Sequence, residues 1–302
     1  MAVSPEAAER ILSNIGLLKP KPAGLKASLR RLEGIKCVLF DVYGTMLISG
    51  TGDVGTASGI KGGRMLNKAL EANGFILSEA SCGERGVEYI EDAILSEHER
   101  GRRNGIEYPE IDIREIWTSV LCRMGAEGYI EGSVARETVA DLAMEYECLV
   151  NPVWPMPGLE SVLDGLRKNN ITLGIVSNAQ FYTKSLFNLL LGMSTDDLGF
   201  DPQLCIWSYE LREAKPSIRL YEMAARALKE RNIQSNQILY IGNDMLNDIL
   251  PASASGFHTA LFAGDGRSLR LRSGDERVTG INPDIIITDL PQVIDTVCPG
   301  AS

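Results

Sequence analysis

The chain of 302 residues is long enough for one large domain or two ordinary ones, and its 44% apolar residues suffice for a packed core. The formal net charge of −10 argues against a general role in binding nucleic acids or anionic membranes. The six cysteines include no CxxC pair, which argues against a zinc ribbon or a thioredoxin-type site. Residues 1–20 lack the basic and apolar segments of a signal peptide, and no apolar run reaches the ~18 residues of a membrane span. We therefore expect a cytoplasmic protein.

The first half of the chain predicts one buried strand followed by a block of helices. Residues 5–18 have the apolar spacing of a short amphipathic helix, and the prolines in 19–24 indicate a linker. An apolar strand follows at about 36–41. The glycine-rich segment 48–63 predicts a flexible connector, and a hinge there would let a flap close over a site. Residues 64–148 keep helical spacing throughout, which predicts an all-α insert of about four helices.

After residue 150 helical and strand patterns alternate. Three prolines in 151–158 end the helical block, and helical segments then separate successive apolar strands. Such alternation is typical of parallel strands joined by crossover helices, and ligands bind beyond the carboxyl ends of these strands. The predicted strands are 171–177, 204–208, 237–242 and 258–262, with a last one in the sequence PDIIITD at 283–289.

Polar residues follow the predicted strands, where one edge of a parallel sheet would gather them. Their types suit phosphoryl transfer, because Asp41 can attack phosphorus and Lys215 can neutralise the approaching phosphate. The other polar residues expected at this edge are Tyr43, Thr45, Ser177, Asn178, Asn243, Asp244 and Asp248.

The same residues predict a magnesium site. Asp41, Asp244 and Asp248 would hold Mg²⁺, a hard cation that prefers oxygen ligands, and the turn would add the backbone carbonyl of Tyr43. Three neighbouring carboxylates raise one another's pKa unless a cation lies among them. The acidic cluster itself therefore argues for a metal.

Substrate binding is assigned to Ser177, Lys215, Asn178 and Thr45. Ser177 and the backbone amides after Asp41 can donate to phosphoryl oxygens. Thr45 would act by supporting the turn, and Asn178 would either orient the substrate or cap the next turn. The expected substrate is a small phosphorylated metabolite, whose identity would depend on the helical insert.

Four motifs, in this order, resemble those of the haloacid dehalogenase (HAD) superfamily. They are DVYGT from Asp41, GIVSN ending at Asn178, Lys215 before a proline, and GNDMLND from Gly242. The resemblance covers roughly residues 36–290 and implies a Rossmann-like parallel sheet with a cap inserted after the first motif. It also implies phosphate-ester hydrolysis through an aspartyl-phosphate with Mg²⁺. Family members often have an acid where this chain has Asn243, so the ligand set could be shifted by one residue.

These patterns divide an α/β protein into three parts. Residues 1–35 are expected to form a helical extension and linker, residues 36–50 and 151–302 an α/β core, and residues 51–150 a helical cap. The arginine-rich segment 264–277 predicts a solvated face rather than a surface for an anionic substrate. The sequence carries no signal of oligomeric state.

Tyr43 separates three functional hypotheses. The resembled phosphatases place a proton-transferring aspartate two residues after the nucleophile, and a tyrosine, with a pKa of about 10, is a poor base at pH 7. The first hypothesis is a Mg²⁺-dependent phosphatase, which the pair of acids Asp244 and Asp248 favours. The second is a 2-haloacid dehalogenase, a metal-independent branch that shares Asp-x-Tyr-Gly-Thr and in which Asp41 would attack carbon. The third is a non-catalytic protein that binds a ligand or a partner.

Overall fold

A six-stranded parallel sheet forms the centre of the computed structural model, which describes residues 3–51 and 59–298. Strand β1 (Cys37–Phe40) lies between β6 (Thr172–Ser177) and β8 (Ile238–Gly242), and both pairings are parallel. The predicted α/β sheet is thus confirmed. The outer strands are β7 (Phe200–Trp207), β9 (His258–Phe262) and β10 (Ile285–Ile287), and the order across the sheet is β10-β9-β8-β1-β6-β7.

Alternate residues of the central strand belong to two different hydrophobic cores. Val38 and Phe40 lie in the larger core, whereas Cys37 and Leu39 lie in a second one. All four are fully buried, as expected of a parallel strand covered on both faces. The helices of the α/β part of the chain are α6 (Leu159–Lys168), α7 (Thr183–Leu191), α8 (Ser208–Leu211), α9 (Arg219–Lys229), α10 (Leu250–Ala254) and α11 (Gln292–Val297).

The insert predicted after the first strand is a helical cap. A short antiparallel pair, β3 (Ile76–Leu77) with β4 (Ile130–Glu131), interrupts its helices and was not predicted. The predicted connector is helical from Gly59 onward, and its residues 52–58 lie outside the described residues. No helix within residues 3–51 and 59–298 is long and apolar enough to cross a membrane. The cap helices are α2 (Gly59–Ala72), α3 (Cys82–Arg103), α4 (Ile113–Ala126) and α5 (Arg136–Val150).

The two chain segments that join cap and core are bonded to each other. Strand β2 (Leu47–Ser49) pairs antiparallel with β5 (Val153–Pro155). Beyond this pair, the Gly50 amide donates to the carbonyl of Pro152 at 2.8 Å. These bonds fix the root of the cap a few residues after the end of β1, where the predicted site begins.

The N-terminal extension packs on the cap. Helix α1 (Pro5–Asn14) contacts α5, and the Ser4 amide before it donates to Asp141 Oδ1 at 2.9 Å. Arg10 forms an ion pair with the buried Glu145 at 2.9 Å. The extension is therefore part of the folded molecule and shares its hydrophobic core.

We expect Ile11→Ala to lower the free energy of unfolding by about 2–5 kcal/mol, because Ile11 is 1% exposed within the larger core. Leu12→Ala is the matched control, since its side chain is 47% exposed and its loss should change stability by less than about 0.5 kcal/mol. Urea unfolding followed by circular dichroism would measure both variants. Equally small effects would show that the extension does not dock.

Candidate active site

A cavity of about 400 Å³ lies between the carboxyl edge of the sheet and the cap. Asp41, the first residue after β1, lines it, and the Asp41 amide still continues the sheet by donating to the carbonyl of Ile241 at 2.9 Å. The structure thus gathers the predicted polar residues at one sheet edge. Those lining the cavity are Asp41, Tyr43, Asn178, Lys215, Asn243, Asp244 and Asp248.

One oxygen of the Asp41 carboxylate is held by a hydroxyl and an amine. The Ser177 hydroxyl donates to Asp41 Oδ1 at 2.8 Å, and the Lys215 amine donates to the same oxygen at 2.7 Å. Because Ser177 is the last residue of β6 and Asp41 follows β1, the pairing of these strands sets this contact. The carboxylate is thereby oriented at the wall of the cavity, as a nucleophile must be.

Lys215 joins Asp41 to a second buried carboxylate. Its amine also donates to Asp248 Oδ1 at 2.6 Å. Burial lowers the pKa of Lys215, but the attraction of Asp248 and Asp41 outweighs it, so the pKa lies above its ordinary value and the amine stays charged. Burial raises the pKa of Asp248 to about 6, and the charge of Lys215 opposes that shift. The lysine is therefore the cation among these acids.

Tyr240 completes this network and was not predicted. Its hydroxyl donates to the carbonyl of Val176 at 2.8 Å and lies 3.1 Å from Asp248 Oδ1 and 3.2 Å from Lys215 Nζ. A hydroxyl within the otherwise apolar strand ILYIG is the signal that could have marked it, because buried tyrosines find a hydrogen-bond partner.

Two residues predicted to bind substrate are bonded to the protein itself. Asn178 Oδ1 accepts from the Lys215 amide at 2.7 Å, and Asn178 Nδ2 donates to the Lys215 carbonyl at 3.3 Å. Asn178 thus positions the backbone of the lysine. Thr45 is fully buried and its hydroxyl donates to Asn243 Oδ1 at 3.1 Å, so it braces the turn after Asp41 against the fourth motif.

Tyr43 is neutral, and its hydroxyl is bonded to Thr183 rather than to Asp41. Its hydroxyl lies 2.9 Å from Thr183 Oγ1, and the side chain is buried at the cavity wall. Burial, together with the negative charge of Glu147, raises the pKa of Tyr43 well above its ordinary value. A phenol in this state cannot serve as a general base at neutral pH.

Arg272 lies against Asp244, so the expectation of a solvated face for 264–277 is wrong at this residue. Arg272 Nε lies 3.0 Å from Asp244 Oδ1, and Arg272 Nη2 lies 2.5 Å from Asp244 Oδ2. Arg270 also lines the cavity. The sequence shows these arginines but not the path of the loop, because that path depends on backbone bonds to a distant segment.

The carboxylates predicted to bind Mg²⁺ are already occupied by hydrogen-bond donors. Asp244 Oδ1 accepts from backbone amides of the following helical turn as well as from Arg272, and Asp248 Oδ2 accepts from the Asp244 amide at 2.9 Å. Five of the six oxygens of Asp41, Asp244 and Asp248 accept from protein groups. Within residues 3–51 and 59–298, no cluster of three or more His, Cys, Asp or Glu side chains is placed to hold a metal. As these side chains lie, the donor set does not fit Mg²⁺, and Lys215 and Arg272 are the cations among the acids.

The cap side of the cavity combines apolar surface with acidic groups. Glu91, Glu110 and Glu147 line it, and burial raises the pKa of Glu110. His98 also lines it; burial lowers the pKa of His98, and its Nε2 is buried without a hydrogen-bond partner among the described residues. The apolar lining consists of Val87, Ile90, Ile94, Ile111, Ile113, Trp117, Ala143 and Val150.

The family model described as haloacid dehalogenase-like hydrolase matches residues 35–256, and the chain belongs to this family. Because it belongs to this family, the chain is a HAD-like hydrolase. The resemblance inferred from the four motifs is confirmed. No protein with curated annotation matches the chain.

Solved structures of similar fold include dehalogenases and a phosphatase. The 2-haloacid dehalogenase from Pseudomonas syringae pv. Tomato DC3000 is 20% identical with a TM-score of 0.55, over 87% of this chain and 97% of that one. The L-2-haloacid dehalogenase from Xanthobacter autotrophicus, with chloropropionic acid covalently bound, is 18% identical with a TM-score of 0.48, over 86% and 97%. The HAD phosphatase from Thermococcus onnurineus is 16% identical with a TM-score of 0.45, over 86% and 97%. Of these likenesses, the one with a TM-score of 0.55 shows the fold.

Replacing the buried amine should destabilise the protein strongly. We expect Lys215→Met to lower the free energy of unfolding by about 3–5 kcal/mol, because it leaves the buried carboxylates of Asp41 and Asp248 without their cation. Thermal and urea unfolding would measure the loss. Lys184→Met, which breaks the exposed ion pair with Glu210, is the control and should change stability by less than about 1 kcal/mol. Equal effects of the two substitutions would contradict this account.

Proposed function

We propose that the protein is a hydrolase in which Asp41 is the nucleophile and the substrates are 2-haloalkanoates. The choice of a halide as the leaving group depends on one observation. The position that transfers protons in the resembled phosphatases is occupied by Tyr43, which is neutral and bonded to Thr183. A halide leaves without a proton, so its departure requires no acid at that position.

The reaction would proceed through an ester of Asp41. A carboxylate oxygen of Asp41 attacks C2 of the substrate while the carbon–halogen bond breaks, and the bonding electron pair leaves with the halide. Water then adds to the ester carbonyl carbon of Asp41, which releases the 2-hydroxyalkanoate, one proton and the original carboxylate. Ser177 and Lys215 donate to Asp41 Oδ1 and would stabilise the negative charge that develops on this oxygen during the hydrolytic step.

The charges around the cavity favour a monoanionic substrate over a phosphate dianion. Six carboxylates and three cations line the cavity, so its formal charge is negative, and repulsion grows with the charge of the substrate. The cations Lys215, Arg270 and Arg272 all belong to the core side, where they could face the substrate carboxylate. The acids Glu91 and Glu147 belong to the cap helices α3 and α5.

The cap predicts a substrate with an apolar body. A cavity of about 400 Å³ falls within the range of pockets for molecules much larger than a propionate. Its cap side offers the side chains of Ile94 and Trp117 among other apolar groups. Each methylene that the substrate buries there would contribute about 0.8 kcal/mol of binding. We therefore propose alkyl or aryl 2-haloalkanoates longer than propionate as substrates.

A second candidate is a Mg²⁺-dependent phosphatase acting on a small phosphorylated metabolite. The observation that favours it is the presence of two further acids, Asp244 and Asp248, near Asp41, because an attack on carbon does not require both. In this candidate Asp41, Asp244, Asp248 and the carbonyl of Tyr43 would hold the metal. The arrangement described above would have to change first, since Arg272 is bonded to Asp244.

Halide release tests the proposal directly. We expect the purified protein, treated with EDTA, to release bromide from 2-bromohexanoate and from 2-bromo-3-phenylpropionate faster than from 2-bromopropionate, with kcat/KM rising as the apolar group grows. Asp41→Asn should abolish release, whereas Asp164→Asn, which changes an exposed carboxylate on the core, should leave it unchanged. Phosphate release from p-nitrophenyl phosphate that requires Mg²⁺ and Asp41, without halide release, would establish the second candidate instead.

A second prediction concerns Tyr43. We expect Tyr43→Phe to retain kcat for halide release within about threefold, because the hydroxyl is bonded to Thr183 and moves no proton. Loss of a general acid or base would lower the rate about 10²–10⁴-fold. Steady-state kinetics on the best 2-haloalkanoate would separate these outcomes, and a hundredfold fall would show that the phenol takes part in catalysis.

A further inference from the structure

Residues 264–275, which we call the arginine loop, are anchored to the fourth motif through the backbone. The Arg270 amide donates to the carbonyl of Asn243 at 2.9 Å, and the Met245 amide donates back to the carbonyl of Arg270 at 2.9 Å. These two bonds flank Asp244 in the chain. Arg272, two residues beyond the anchor, is therefore held beside the Asp244 carboxylate.

The N-terminal extension anchors the other end of the arginine loop. The amide of Gly266 donates to the carbonyl of Lys21 at 2.7 Å, and the Lys21 amide donates to Asp265 Oδ1 at 3.1 Å. Arg267 pairs with the fully buried side chain of Asp265 at 2.9 Å and donates to the carbonyl of Lys19 at 2.5 Å. The loop is thus fixed at residues 265–267 and at Arg270, independently of any ligand.

The contact between Arg272 and Asp244 is a two-point ion pair in the active-site cavity. The guanidinium faces both carboxylate oxygens, which is the strong geometry of such pairs. The Asp244 side chain is 8% exposed and the Arg272 side chain 35%. Arg272 has a φ of +54°, in the left-handed region that costs a non-glycine residue about 1 kcal/mol or more. The backbone anchor at Arg270, two residues earlier, helps to hold it in this conformation.

We propose that Arg272 is the built-in counter-cation of Asp244 and competes with a divalent cation for this carboxylate. A metal ion and the guanidinium need the same carboxylate oxygens, and both cannot bind them together. Binding of a hard divalent cation at Asp244 requires Arg272 to leave, which its partly exposed side chain permits. The protein therefore pairs each carboxylate of its acidic cluster with one of its own cations, and Asp244 is not a metal ligand in the resting protein. This proposal concerns cation binding without substrate, so it stands or fails separately from the proposed reaction.

Manganese binding tests the competition. The wild-type protein and variants would be titrated with Mn²⁺ at pH 7.5, with free Mn²⁺ measured by electron paramagnetic resonance and Mg²⁺ added as competitor. We expect Arg272→Met to bind one Mn²⁺ at least about tenfold more tightly than the wild type, because it exposes the Asp244 carboxylate to the cation. Arg277→Met, which removes an exposed pair with Asp275 in the neighbouring segment, is the matched control and should leave Mn²⁺ affinity unchanged.

Two further variants keep the proposal open to refutation. Asp244→Asn combined with Arg272→Met should remove the gain in affinity, and a gain that persists would place the metal elsewhere and overturn the proposal. Asp244→Asn alone should lower the Mn²⁺ affinity of the wild type at least about tenfold less than the same substitution lowers that of Arg272→Met, since Arg272 already competes for Asp244 in the wild type. An equal loss in the two backgrounds would show that Arg272 does not compete and would also overturn it. Circular dichroism spectra of all variants would show that they are folded.

Discussion

The buried amine of Lys215 is the interaction on which the site depends. It lies between the carboxylates of Asp41 and Asp248, and the Tyr240 hydroxyl lies beside it. Two buried carboxylates without this cation would repel each other in a medium of low dielectric constant. Because Asp41 follows β1 and Asp248 follows β8, the amine also joins the ends of two neighbouring strands. The turn that carries it is held by Asn178, so one lysine connects three segments of the sheet edge.

A second cation, Arg272, is paired with the remaining acid of the site, Asp244. Together with Lys215 it places a positive charge against each of the three acids of the site, so every acid of the cluster has a cationic partner within the protein. An acidic cluster read from the sequence implies a metal only when no side-chain cation reaches it. Here the arginine loop brings that cation, and the N-terminal extension braces the loop. The extension thus contributes to the site although it lies outside the family motifs.

The cap and the core contribute different side chains to the lining of the cavity. The core supplies Asp41 from the end of β1 and the cations from turns and loops beside the sheet edge. The cap supplies apolar walls and acids, and its root is tied to the core by the pairing of β2 with β5. Under the proposed function, the reacting end of a substrate would lie against the core and its apolar body against the cap.

The sequence alone determined the class of fold and the main residues at the sheet edge. Apolar runs separated by helical spacing require parallel strands with crossover helices, and polar residues directly after those runs must collect at one edge. Asp41 and Ser177 could be found in this way because each stands at a strand end, and Asp244 because it follows β8 by two residues. The helical insert was evident for a similar reason, since a long stretch of helical spacing interrupts the alternation.

Only the tertiary structure determined which charged side chains form ion pairs with each other. Asp244 and Arg272 are 28 positions apart, and their contact depends on backbone bonds between a loop and the fourth motif, which leave no periodic pattern in the sequence. The Tyr240 side chain reaches the site because β8 directs it toward Lys215. Its sequence context, in contrast, is that of a buried apolar strand. The Tyr43 hydroxyl is oriented by its bond to Thr183, the first residue of helix α7. Local patterns specify where each segment's side chains emerge, but the pairing of ions between segments depends on distances that only the packed chain defines.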